Sequence, residues 1–109
     1  MDIAKRREGR YQVIALCGSA DVAASGALRE ALLGTIEAGG THIVCDLGPT
    51  DFIGSDALGV LITAYLKARG RGGCVRLAAP GGRPKEILHT TRLDHLFEIY
   101  PSVECALKA

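Results

Sequence analysis

Residues 42–47 read His-Ile-Val-Cys-Asp-Leu, a short and near-continuous apolar run. A run of this kind suits a strand covered on both faces, and that demands packed layers on either side of a sheet. The neighbouring segments meet the demand. Tyr11–Cys17 (YQVIALC) and Cys74–Ala78 (CVRLA) also read as strands. Between the strands lie helical patterns. Ser25 can cap a helix to about Glu37, whose Leu28, Leu32 and Ile36 recur every fourth residue beside Ala31 and Thr35. Gly39-Gly40 ends it. Ala57–Ala68 places Leu58, Leu61, Ile62 and Tyr65 at helical spacing, and Arg69-Gly70-Arg71-Gly72-Gly73 stops that helix. Pro80-Gly81-Gly82 is a turn, and Pro84 starts a helix to roughly Thr91. Phe97–Tyr100 is short and apolar, and Ser102 caps a last helix, Val103–Lys108. Strand and helix alternate, so the chain is expected to form one α/β domain over residues 1–109, with helices packed on a sheet.

At 109 residues the chain can bury a core without disulfide support. A net charge of +1 gives no long-range attraction to nucleic acid, and no direct nucleic-acid partner is expected. The cationic clusters Lys5-Arg6-Arg7 and Lys67–Arg71 are balanced by acidic residues elsewhere. Met1–Arg10 is mostly charged, unlike a signal peptide, and no apolar run approaches the roughly 20 residues that span a bilayer. No membrane insertion is expected, and the compartment expected is the cytoplasm. Cys17, Cys45, Cys74 and Cys105 are widely spaced without a Cys-x-x-Cys pair. They read as small buried side chains kept reduced, not as metal ligands.

The polar residues cluster in Asp51-Phe52-Ile53-Gly54-Ser55-Asp56-Ala57-Leu58-Gly59, at the start of the second helix. A serine nucleophile at Ser55 needs a base, but the spacing of His42, His89 and His95 selects none, and Gly-x-Ser-x-Gly is absent. A phosphate cradle is disfavoured because Asp56 already supplies negative charge there and no P-loop is present. Asp46, Asp51 and Asp56 lack the spacing of a metal site, and no cofactor is expected. As plain structure, Gly54 permits a sharp turn, Ser55 caps the helix and Asp56 meets the positive end of its dipole.

Four blocks, in order, resemble the STAS domain family, and in particular its anti-sigma factor antagonists. They are Gly18-Ser19-Ala20-Asp21, Asp46–Leu61 (DLGPTDFIGSDALGVL), Arg69–Leu77, and Leu93-Asp94-His95-Leu96-Phe97-Glu98-Ile99-Tyr100. The resemblance implies a mixed β-sheet of about four to five strands with helices packed against it. It implies a non-enzymatic module that binds an anti-sigma factor, usually a serine kinase of the histidine-kinase ATPase fold, and so frees a sigma factor. In such systems the kinase phosphorylates a residue at the start of the second helix, and a phosphatase resets it. The partner surface implied is Ser19, Asp21, Gly54, Ser55, Asp56, Ala57 and Leu58. An alternative within the resemblance is an accessory subunit of an ABC-type lipid transport system.

This chain departs from the family pattern at the switch. Gly54 stands where the family has aspartate, Ala57 where it has glycine, and Asp56 at the phosphoacceptor-equivalent position. An aspartate cannot accept phosphate by serine/threonine chemistry, and it carries less charge and bulk than a phosphoserine. Asp56 is therefore expected to act as a fixed partial mimic, with Ser55 as the alternative phosphoacceptor. A partner that uses no phosphorylation is the third reading.

Overall fold

A computed structural model describes residues 1–109. The elements run β1 (Asp2–Glu8), β2 (Tyr11–Ala20), α1 (Ser25–Glu37), β3 (His42–Asp46), β4 (Thr50–Ile53), α2 (Ser55–Gly70), β5 (Cys74–Ala78), α3 (Gly82–Thr90), β6 (Glu98–Tyr100) and α4 (Val103–Lys108). Single 3₁₀ turns at Val22–Ala24 and Leu93–His95 precede α1 and β6. The six-stranded sheet has the order β1-β2-β3-β5-β6, with β4 pairing separately to β2. β1 is antiparallel to β2, and every other pairing is parallel.

β3 is the doubly covered strand that its composition demands. Ile43 and Cys45 join the large core beneath α1 and α2, while Val44 joins a smaller core with Tyr11, Val13, Ala78 and Ala106. α4 is held over this second face by Arg76. Its guanidinium donates to Tyr11 Oη at 2.7 Å and to the Ala106 carbonyl at 2.8 Å, and stacks between the rings of Tyr11 and Tyr100.

The sheet is larger than the four to five strands expected. β1, β4 and β6 complete it, and none had been assigned as a strand. β1 is an edge strand that turns only Ile3 toward the core and exposes Lys5, Arg6 and Arg7. Charge along an unpaired edge discourages further strand addition, and it also hides the strand from a hydrophobicity pattern. β4 forms where the HIVCDL run breaks at Asp46. Asp46 Oδ1 accepts the Gly48 amide at 2.9 Å, turning the chain, and buried Thr50 then donates to the Leu16 carbonyl at 2.5 Å.

β2 is ten residues long because it serves two partners. Gln12–Ala15 pair with β3, and Gly18–Ala20 pair with β4. The register shifts between Gly18 and Ser19, where Gly18 has φ +101°. A side chain rarely adopts that conformation, so glycine is required at the bulge. The strand therefore continues through the glycine at which it was expected to stop.

The four thiols are not equivalent. Cys45 is fully buried, Cys17 and Cys74 are half-buried and Cys105 is exposed, so the expectation of four buried cysteines holds only for Cys45. Burial pushes the Cys45 thiol up to about 12 from 9.0, with a smaller contribution from neighbouring Asp46. A raised folded-state pKa stabilises the fold below the unfolded value and loses that stabilisation as pH climbs to the folded one. Stability should therefore fall between pH 9.0 and about 12. Chemical denaturation across that range checks this, and Cys45→Ala should flatten the slope.

Candidate functional site

The parallel pairing of β4 with β2 brings two loops together. Ser19 lies opposite Phe52 and Ala20 opposite Ile53, so both strands end at the same edge of the sheet. The Gly54 amide donates to the Ala20 carbonyl at 2.8 Å. A Cβ on Gly54 would lie 3.8 Å from the Asp21 Cα and 3.5 Å from the Phe52 ring. Residues 19–21 and 54–56, separate in sequence, thus form one continuous surface.

Each loop is built differently from the local expectation. Gly54 itself is the N-cap of α2, with φ −83° and ψ 171°, an extended conformation open to any residue. Its backbone does not require glycine, and no side chain caps α2. Ser55 is the first helical residue and not the cap, while Asp56 sits in the first turn as expected. A carboxylate there is stabilised by the helix dipole, by about 0.3–1 kcal/mol. Similarly, Ala24 and not Ser25 occupies the N-cap of α1. Capping passes to Asp21, whose Oδ1 accepts the Ala24 amide at 3.1 Å, and Ser25 Oγ donates to the Val22 carbonyl at 2.8 Å. These two bonds clamp the Val22–Ala24 turn and hold Asp21 in one place.

Asp21, Ser55 and Asp56 are exposed, and Ser19 and Gly54 are half-buried. Ala57 is fully buried and Leu58 nearly so, both in the large core. These two fix α2 beneath the surface and offer it little area of their own. Sequence reasoning missed Arg83, at the start of α3, whose guanidinium lies 4.9 Å from the Phe52 ring centroid. Phe52 in turn borders Gly54, so Arg83 adds a cation to the rim. No motif marks this arginine; only the contact between α3 and β4 brings it close.

The histidines are engaged elsewhere. His42 packs edge-on to Tyr11, while His89 bonds Asp94 at 3.1 Å and His95 approaches the same carboxylate at 3.9 Å. The His89 bond holds the Asp94 carboxyl below its ordinary pKa. The surface at Ser55 and Asp56 therefore presents hydroxyl, carboxylate and apolar groups suited to binding. Its exposed small side chains are carried on the hydrogen-bonded Val22–Ala24 turn and the first turn of α2, at one edge of a mixed α/β domain.

The comparisons with known proteins agree with this fold. The chain belongs to the STAS domain family, whose model matches residues 2–106. An anti-sigma factor antagonist from Mycobacterium paratuberculosis is 26% identical, with a TM-score of 0.89 over 98% of this chain and 91% of that one. A putative anti-sigma factor antagonist from Thermotoga maritima is 18% identical, with a TM-score of 0.92 over 97% of this chain and 92% of that one. The Bacillus cell fate determinant SpoIIAA in its phosphorylated form is 19% identical, with a TM-score of 0.78 over 98% of this chain and 97% of that one. No match is found among curated protein sequences. No helix is long and apolar enough to cross a membrane.

Proposed function

We propose that this protein is an anti-sigma factor antagonist of the cytoplasm. It binds a kinase-like anti-sigma factor through the joined surface of Ser19, Asp21, Ser55 and Asp56, and so releases a sigma factor for transcription. The observation that carries this reading is the β2–β4 pairing, which sets the clamped Asp21 turn against the exposed start of α2. Similarity to antagonists over nearly the whole chain supports it. Asp56 occupies the phosphoacceptor-equivalent position as a permanent single charge, so the protein binds without being switched by its kinase and needs no phosphatase to reset it.

Calorimetric titration against the purified anti-sigma factor tests the assignment. Asp21→Asn keeps the oxygen that caps Ala24 and removes only the charge. It should weaken binding by about tenfold or more while leaving the thermal midpoint near wild type. A wild-type protein that binds no anti-sigma factor would overturn the assignment, and an unchanged affinity for Asp21→Asn would remove Asp21 from the interface.

A further inference from the structure

α2 buries Ala57, Leu58, Val60, Leu61, Ala64 and Ala68. Its opposite face ought to be charged, because a surface helix normally is. Instead Ser55, Gly59, Ile62 and Leu66 follow one another there at spacings of four, three and four, with Ile62 half-buried against the edge of the core and the other three exposed. That is the heptad spacing of a helix that meets another helix. Leu66 is 59% exposed. Gly59 is exposed, and nothing lies within 4 Å of where its Cβ would be. A glycine in the middle of an exposed helix weakens it, and no neighbouring group of this chain fills the space above Gly59.

We propose that this stripe is the contact for a second copy of the chain, with the two α2 helices antiparallel and a twofold axis passing beside Ile62. The stripe is self-complementary about that point. Gly59 lies three residues before Ile62 and Leu66 four after, so the leucine of one copy enters the gap above the glycine of the other. Charge obeys the same symmetry. Asp56 and Lys67 are exposed, form no ion pair within their own chain, and lie only about 20° apart around the helix axis. In an antiparallel twofold pair the same flanks face each other, so Asp56 of each copy meets Lys67 of the other, twice per dimer. A binding partner unrelated to this chain would have no reason to match a palindrome.

One helix pair is a small interface beside the roughly 1,200–2,000 Å² of stable complexes, so the dimer is weak, with a dissociation constant on the order of 100 µM. It covers Ser55 and Asp56. The pairing does not depend on the partner assigned above; its competition with an anti-sigma factor does.

Sedimentation equilibrium over a concentration series spanning that constant is the test. The wild-type mass should rise toward twice that of the monomer. Leu66→Asp, on an exposed side chain that leaves the fold intact by circular dichroism, should hold the protein monomeric. Asp56→Lys and Lys67→Asp should each weaken pairing about tenfold, since each reversal spoils two symmetric contacts, and the double reversal should recover most of the loss. Ile62→Cys should form a disulfide-linked dimer under mild oxidation that the wild-type thiols do not. A wild-type protein monomeric throughout the series, or a double reversal no better than the single ones, overturns the proposal.

Discussion

Incubated with ATP and the anti-sigma kinase proposed as its partner, the wild-type protein is expected to gain no phosphate, whereas Asp56→Ser gains one. Position 56 is exposed in the first turn of α2, and it is the position proposed above as equivalent to the family's phosphoacceptor. The substitution replaces a fixed carboxylate by a hydroxyl that can accept phosphate. Phosphorylation then adds about −1.5 to −2 charges where the unmodified mutant has none. The mutant should consequently span a wider range of affinities than the wild type, binding tightly before modification and releasing after it. A few kcal/mol of repulsion corresponds to a hundredfold or more in affinity. Intact-mass measurement followed by peptide mapping reads the result. A phosphate on Ser55 of the wild type would show that the neighbouring hydroxyl has taken over as acceptor. A mutant that gains none would place the kinase or the aligned position elsewhere.

The largest loss of stability is expected at a residue far from this surface. A Cβ on Gly73 would lie 1.9 Å from the Thr41 carbonyl oxygen and 2.6 Å from its carbon. Neither atom belongs to a flexible side chain, and the same oxygen accepts the Cys74 amide at 2.9 Å. Gly73→Ala must push apart the starts of β3 and β5, two neighbouring strands of the sheet. We expect a cost of about 3 kcal/mol or more, lowering the thermal midpoint by roughly 10–20 °C. Gly70→Ala is the control, because its Cβ meets nothing within 4 Å inside the last turn of α2. It should leave the midpoint unchanged or raise it. A Gly73→Ala protein as stable as the control would mean that the two strands can separate without cost.

The sequence announced the parts of the fold that bury continuous apolar surface. α1 and α2 were visible through their apolar spacing, α3 through Pro84 after the Pro80-Gly81-Gly82 turn, and β2, β3 and β5 through their β-forming residues. α4 was found through its cap, with Ser102 Oγ accepting the Cys105 amide at 3.1 Å. β1, β4 and β6 were not visible, for different reasons. β1 is charged because it is an edge, β4 is four residues long with Asp51 pointing outward, and β6 is only three residues. The motif placed the start of α2 at the site, yet local capping rules misjudged how the turn is made. They favour a side-chain oxygen at the N-cap and so point to Ser55, but glycine also suits that position, and here a backbone bond from Gly54 to Ala20 fixes the turn. Arg83 was illegible because its place beside Phe52 depends on α3 packing against a strand that had not been foreseen.

The division of labour along β2 bears on how such a protein can diversify. One half of the strand is committed to the core through β3, the other to the proposed recognition surface through β4. A one-residue slip would turn core side chains outward and misplace Asp21 in the same step. Exposed positions just after β2 and β4 carry no such double constraint. On the proposed function, substitutions at exposed Asp21 and Val22, after β2, and Ser55 and Asp56, after β4, would redirect the protein to a different target without disturbing the strands that aim them.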